Sequence, residues 1–363
     1  GLKPLEGVAA RSVREGAVVP TTMGARSWRW LLMAPAWGLC RAAGGEVPSL
    51  PLLGGGSMPM SGLGLCCRPS ARGEAVRQSV FEFIMMGGRH LDGALLYKNS
   101  KEVGQGVRDA MARGVPRKEI FFTTKIPATH FGFGSVAEAF PRLLQETDIG
   151  YIDLVLLHHP TSPKLVEAKR CQTPWRCRQE TWLALERFKH QGFIKHLGVS
   201  NMSPERIAGL MALGGSPVAV NQIEYHPWVP EFHRDTVEWC HQRGIVVTAY
   251  ASLGSPNFRG ARQIGDISQG PFMDKLEAIA ESHGKTWSQV LLRWAIQHNV
   301  TIIAGTGNPK HMAENLDVFD WKLKGEDMTY LDSVPGGKRG AIYGFFLAGE
   351  YGLGNRDGGP LKF

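Results

Sequence analysis

Cysteine is scarce, six residues in a chain of 363, and no CxxC pair occurs, so neither a disulfide-dense scaffold nor a zinc finger is expected. Cys171 and Cys177, the nearest spaced pair, have no second pair to complete a metal site. Long apolar runs are missing as well. The run Trp30 to Cys40 is too short for a helix to cross a hydrocarbon core of about 30 Å. Lysine and arginine never gather into a run. The formal net charge of +8 is scattered, with +3 in residues 1–50, which argues against a basic patch for nucleic acid. Two nucleotide motifs also fail. Gly62 and Gly64 are followed by Cys67 where GxGxxG needs its third glycine, and Gly284-Lys285-Thr286 has Ile279 where a phosphate loop needs its first.

What remains is a chain with enough apolar residues, 43%, to bury a large core. Residues 1–50 read as a leader or disordered extension, and 51–363 as one folded unit. The chain opens on Gly1, which reads as a fragment or a processed product. From Met23 the order is Arg26 and Arg29, the apolar run, then Ala42, Ala43, Gly44 and Gly45, which suggests organelle or secretory targeting. A cytoplasmic chain with an unstructured extension is the alternative.

Beyond residue 58, short β-branched runs alternate with amphipathic stretches. Strands are expected at 61–66, 90–92, 120–125, 152–158, 194–200, 218–224, 245–250 and 300–304. Helices are expected at 71–87, 99–113, 133–147, 177–191, 203–213, 232–243, 273–298 and 309–318. Several strands are apolar almost throughout, as parallel strands covered on both faces are. Eight strands, each followed by a helix, predict a single α/β (β/α)8 TIM barrel. The competing open doubly wound sheet usually announces itself with the glycine fingerprint that is absent here.

Active residues of such a barrel project from the C-terminal ends of the strands. Asp92, Lys125 and His158 close three apolar runs, and Tyr97 follows Asp92 by five residues. A lysine ending a buried strand needs a partner, and Asp92 is the natural one. Its charge would favour phenolate and lower the pKa of Tyr97, making the tyrosine a workable general acid toward an oxygen gaining charge. His158 could orient the same oxygen. The pair His158-His159 suggests a metal, but adjacent strand residues face opposite ways, so no metal is expected.

The stretch from Gly88-Arg89-His90-Leu91-Asp92 through Tyr97 to Glu102-Val103-Gly104 resembles the signature of the aldo-keto reductases. The likeness continues through Thr123-Thr124-Lys125, Asp153 to His158, Leu197 to Asn201, Val220 to Pro227 and Thr248-Ala249-Tyr250, covering roughly residues 58–335. The resemblance implies an NAD(P)H-dependent carbonyl reductase with the tetrad Asp92, Tyr97, Lys125 and His158. It implies that Ser200, Asn201 and Gln222 hold the nicotinamide carboxamide, that Tyr250 stacks on its ring, and that Leu253 and Ser255 approach the diphosphate. Glu314 and Asn315 match the family's adenine contacts.

Three departures from the family stand out. Gly305 and His311 occupy the places of a Lys and an Arg that meet the 2′-phosphate, so NADPH is expected with NADH also accepted, and Lys310 or His311 could compensate. Cys66 and His159 replace two flat aromatic walls, so the substrate pocket should be wider and more polar, unless Trp175 and Trp182 refill it. The tail from Tyr343 to Phe363 is the expected specificity loop.

The resulting expectation is a monomeric oxidoreductase, of the alcohol dehydrogenase or carbonyl reductase type, acting on a small-molecule aldehyde or ketone with no membrane span and no nucleic acid. The alternative is a cofactor-binding structural or regulatory subunit on the same barrel with little turnover.

Overall fold

The computed structural model describes residues 46–160, 172–254 and 271–335. The leader-like segment, Ser255 and the tail from Tyr343 lie outside them. Two three-residue strands come first, β1 (Ser49–Pro51) and β2 (Ser57–Pro59), paired antiparallel with Leu50 opposite Met58. The first strand among the described residues therefore begins at Ser49. Strands this short, broken by Pro48, Pro51 and three glycines, carry no readable alternation.

Eight parallel strands follow: β3 (Ser61–Gly64), β4 (His90–Asp92), β5 (Phe121–Ile126), β6 (Ile152–Leu157), β7 (Ile194–Ser200), β8 (Val218–Glu224), β9 (Val246–Tyr250) and β10 (Thr301–Ala304). Each pairs with the next, and β10 pairs with both β9 and β3, closing the barrel. Helices cover the outside: α1 (Gly73–Met85), α2 (Ser100–Ala112), α3 (Phe133–Thr147), α4 (Pro174–His190), α5 (Pro204–Met211), α6 (Glu231–His241), α7 (Pro271–Ser282), α8 (Trp287–Gln297), α9 (Pro309–Leu316) and α10 (Gly325–Asp332). None of the described helices is long and apolar enough to cross a membrane.

The stretch 273–298 is not one helix, as its continuous amphipathic pattern suggests, but two, α7 and α8. Gly284 takes the left-handed backbone (φ +62°) that stops α7. Thr286 then caps α8: its Oγ1 accepts from the Gln289 N–H at 3.3 Å, and the Gln289 side chain accepts from the Thr286 N–H at 3.0 Å. The triplet that fails as a phosphate loop is a helix break. Asn99 also precedes its helix as expected, yet its amide does not cap it. That amide donates to the Leu65 and Ala71 carbonyls at 3.0 and 2.8 Å, tying the β3–α1 loop to the start of α2.

Apolar side chains pack in two places. One cluster fills the layer between strands and helices, including Phe83, Val107, Phe140, Trp182, Leu197 and Trp294. The other lies inside the barrel, where Phe121, Leu154, Leu156, Val220 and Val246 meet Leu52 and Met58 from the β1–β2 hairpin. The hairpin thus stoppers the N-terminal end of the barrel and leaves the C-terminal end for chemistry.

Candidate active site

At the C-terminal ends of the strands lies a cleft of about 600 Å³, lined by Asp92, Tyr97, His158, Ser200, Asn201, Gln222 and Tyr250 among others. Asp92 is the last residue of β4, and Lys125 is the penultimate residue of β5. Both are almost fully buried, at 2% and 1% exposure. Two buried charges hold only if each is satisfied. The Lys125 ammonium donates to Asp92 Oδ1 at 2.5 Å, to the Gly93 carbonyl at 2.9 Å and to the Tyr97 hydroxyl at 3.3 Å. Its three protons are thereby used. The other Asp92 oxygen, Oδ2, accepts from Gln222 Nε2 at 2.7 Å. Burial works against the Lys125 charge, but Asp92 and the phenol outweigh it, and the lysine pKa is raised.

Tyr97 ends a short 3-10 turn, Leu95–Tyr97, and Lys98 next to it adopts the left-handed conformation. The tyrosine ring stands edge-on to His158, with centroids 5.9 Å apart. Burial, together with the charges at Lys125 and His159, holds the His158 pKa well below 6.5, so the ring is neutral at physiological pH. His159 is held down to about 4 by burial and by Lys125.

The opposite-face argument for His158 and His159 fails here. Strand β6 ends at Leu157, so both histidines lie past it, both line the cleft, and their rings stack at 4.4 Å. Among the described residues no group of three metal-ligating side chains gathers there or elsewhere.

Asn201 turns the end of β7 with a left-handed backbone. Its amide donates to the His158 carbonyl and to Ser200 Oγ, both at 3.0 Å. Its side-chain oxygen accepts from the Tyr250 hydroxyl at 2.7 Å. Ser200 Oγ donates to the Gln222 carbonyl at 2.9 Å. These four residues form one hydrogen-bonded wall of the cleft. Leu253 does not join them: it packs half-buried against the apolar core.

His311, Glu314 and Asn315 lie on α9, outside the described lining of the cleft. His311 is exposed, Glu314 pairs with Lys310 at 3.8 Å, and Asn315 is buried, with its carbonyl accepting from Ser61.

Cys66 and His159 both line the cleft, as expected of pocket residues. Cys66 and Cys67 sit side by side after β3, and Cys240 is free and buried. Trp175 and Trp182 do not refill the pocket. Trp182 is wholly buried in the core, and the Trp175 ring lies over Gly209 of α5. Two residues missed in the sequence, Arg68 and Arg72, stand at the cleft lip. Their place in the loop after β3, at the mouth of the barrel, was the available signal.

With this geometry in hand, comparison with known proteins is decisive. The aldo/keto reductase family model matches residues 54–335. The chain belongs to the aldo/keto reductase family. An aldo-keto reductase of Mycolicibacterium smegmatis is 34% identical over 294 residues, covering 80% of this chain and 95% of its own. A 9,11-endoperoxide prostaglandin H2 reductase of Trypanosoma cruzi is 33% identical, covering 81% and 94%. Among solved structures, a Bombyx mori aldo-keto reductase in complex with NADP superposes with a TM-score of 0.69 at 30% identity, covering 79% of this chain and 92% of its own. The closed parallel barrel is thus the aldo/keto reductase barrel; Asp92, Lys125 and His158 lie at or just past the ends of its strands, and Tyr97 lies in the turn after β4.

Proposed function

We propose that this aldo/keto reductase converts an aldehyde or ketone to the alcohol using NAD(P)H, with Tyr97 as the proton donor. The observation that carries the reading is the Lys125 ammonium, bridging buried Asp92 at 2.5 Å and the Tyr97 hydroxyl at 3.3 Å at the floor of an open cleft.

The residues present fit a nicotinamide dinucleotide. One wall offers the amides of Asn201 and Gln222, the Ser200 hydroxyl and the Tyr250 ring, while the lip carries Arg68 and Arg72. Among the described lining residues Asp92 is the single carboxylate, and Lys125 and Gln222 already satisfy it. When bound, the cofactor supplies a hydride for the carbonyl carbon. NADPH is the proposed reductant and NADH an accepted one, because Gly305 and His311 stand where the family resemblance places a Lys and an Arg for the 2′-phosphate. The M. smegmatis and T. cruzi relatives, and Aspergillus niger and Candida tropicalis proteins named NAD(P)H-dependent D-xylose reductases, support a reductase assignment.

The chain's own part is to place and move one proton. Tyr97 gives its hydroxyl proton to the carbonyl oxygen as that oxygen becomes an alkoxide. Lys125, held beside the phenol, stabilises the negative charge left on the tyrosine oxygen. Asp92 keeps Lys125 in place and charged. Neutral His158 offers a ring N–H to the substrate oxygen and fixes its direction toward Tyr97.

Tyr97→Phe tests the assignment. Carbonyl reduction should fall by about 10²–10⁴-fold, the usual share of a general acid, while NADPH binding followed by fluorescence stays near wild type. Retention of more than about a tenth of the rate would refute Tyr97 as the donor.

A further inference from the structure

Among the described residues, no carboxylate pairs with the half-buried Arg68 at the cleft. Arg68 follows β3 in the loop at the barrel mouth, half-buried and lining the same cleft as Tyr97. Its guanidinium lies across the end of β10. Nη1 donates to the Gly64 carbonyl at 2.7 Å and the Cys66 carbonyl at 3.2 Å, Nη2 donates to the Thr306 carbonyl at 2.9 Å, and Nε donates to Ser70 Oγ at 3.0 Å. Among the described residues every partner is a neutral oxygen, and no carboxylate reaches it. Carbonyls and a hydroxyl orient a guanidinium but do not neutralise it. Burial alone pulls its pKa down to about 10, far above working pH, so the charge stays.

Gly305 is part of the arrangement. A Cβ at residue 305 would stand 2.6 Å from Arg68 Nη1, so only glycine leaves the guanidinium its place. Four of the five N–H groups of the fork are used and one on Nη2 is free for a ligand. A desolvated, uncompensated cation with a spare donor in an open cleft is built to meet an anion.

We infer that Arg68 binds the diphosphate of the nicotinamide dinucleotide, an inference that rests on the reductase reading above. Covalent connectivity chooses among the anions. The diphosphate is one ribose away from the nicotinamide, whereas the 2′-phosphate belongs to the adenosine end. Arg68 shares a cleft with Tyr97, which suits the nearer group. The exposed Lys310 and His311 on α9 lie outside that lining, and Gly305, the other position that the resemblance assigns to the 2′-phosphate, has no side chain to reach it.

The test is binding without turnover. The full chain is titrated with NADH and with NADPH in the absence of any carbonyl, at low and at physiological salt, and tryptophan fluorescence is followed. Arg68→Gln keeps a hydrogen-bonding side chain and removes the charge. It should weaken both dinucleotides equally, by about 10–100-fold, and flatten their salt dependence. Arg68→Lys should recover part of the loss. Inorganic pyrophosphate should displace NADH from wild type, which holds as a test even if the variants fail to fold. Four results overturn the inference: equal affinity in Arg68→Gln, a loss confined to NADPH, a loss confined to the KM of carboxylate-bearing carbonyls, or no displacement by pyrophosphate. A wild type that binds neither dinucleotide overturns the reductase reading and the inference with it. A wild type that binds both, beside an unaltered Arg68→Gln, overturns only the role of Arg68.

Discussion

The floor and the lip of the cleft handle charge in opposite ways. At the floor, Lys125 and Asp92 are almost fully buried and satisfy each other, with Gly93, Tyr97 and Gln222 taking the remaining hydrogen bonds. At the lip, Arg68 is held, among the described residues, by neutral oxygens. The floor's charges are satisfied by the protein's own groups, which under the proposed reaction preorganises it for proton transfer. The lip leaves a charge to be answered by what binds. In the proposed reading, reactivity and recognition are thus carried by different electrostatic states within one cleft.

Breaking the floor should produce the largest effect. Lys125→Met removes the ammonium and leaves Asp92 buried beside an apolar side chain. Turnover should fall by at least about 10²-fold, and unfolding free energy by about 3–5 kcal/mol, as for a broken buried pair. The double variant Lys125→Met/Asp92→Leu should regain much of the stability and none of the activity. Urea unfolding alongside steady-state rates would separate the two, and recovery of activity in the double variant would refute the assigned role of Lys125.

Acid should act next. Burial holds His90, beneath the floor, and His159, near the lip, at pKa values of about 4, and His233 at about 3. In the unfolded chain each would titrate near 6.5. Between pH 6.5 and 4 the unfolded state therefore binds more protons. Stability is fully present above pH 6.5 and is lost as pH falls through this window. His90 alone accounts for about 3 kcal/mol. The melting temperature, constant from pH 8 to 7, should drop steadily from pH 6.5 to 4.5; a flat profile would contradict the burial of these rings.

The smallest effect belongs to His159→Trp. It places a large flat wall at the lip and leaves the Asp92–Lys125 pair untouched. Ratios of kcat/KM should shift by about tenfold toward small or flat aromatic aldehydes, the scale on which pocket shape discriminates. An unchanged substrate profile would show that the side chain at 159 does not meet substrate.

Most of the barrel could be read from the sequence because parallel strands buried on both faces leave unbroken apolar runs, as in Ile152 to Leu157. Three candidate site residues stood out for the same reason, since Asp92, Lys125 and His158 interrupt those runs at the end where a barrel reacts. The failures have physical causes. Periodicity does not register a helix break made by one glycine and a cap, as at Gly284 and Thr286. It cannot say that β6 stops one residue early and so turns His158 and His159 into the same space. Nor could it find Arg68, whose described partners are neutral oxygens brought together only in three dimensions.

The stoppered barrel has one more consequence. With Leu52 and Met58 of the hairpin packed against Phe121, Leu154 and Val246, the described end opposite the cleft is filled with apolar side chains. The reaction chamber is a cul-de-sac. Under the proposed reaction, cofactor and carbonyl both enter from the cleft side, and whichever settles deeper is detained by the one behind it. Under the proposed reaction this turns a packing detail into a rule of traffic: the order of arrival fixes the order of departure, and the product must clear the doorway before a deeper-seated spent cofactor can follow.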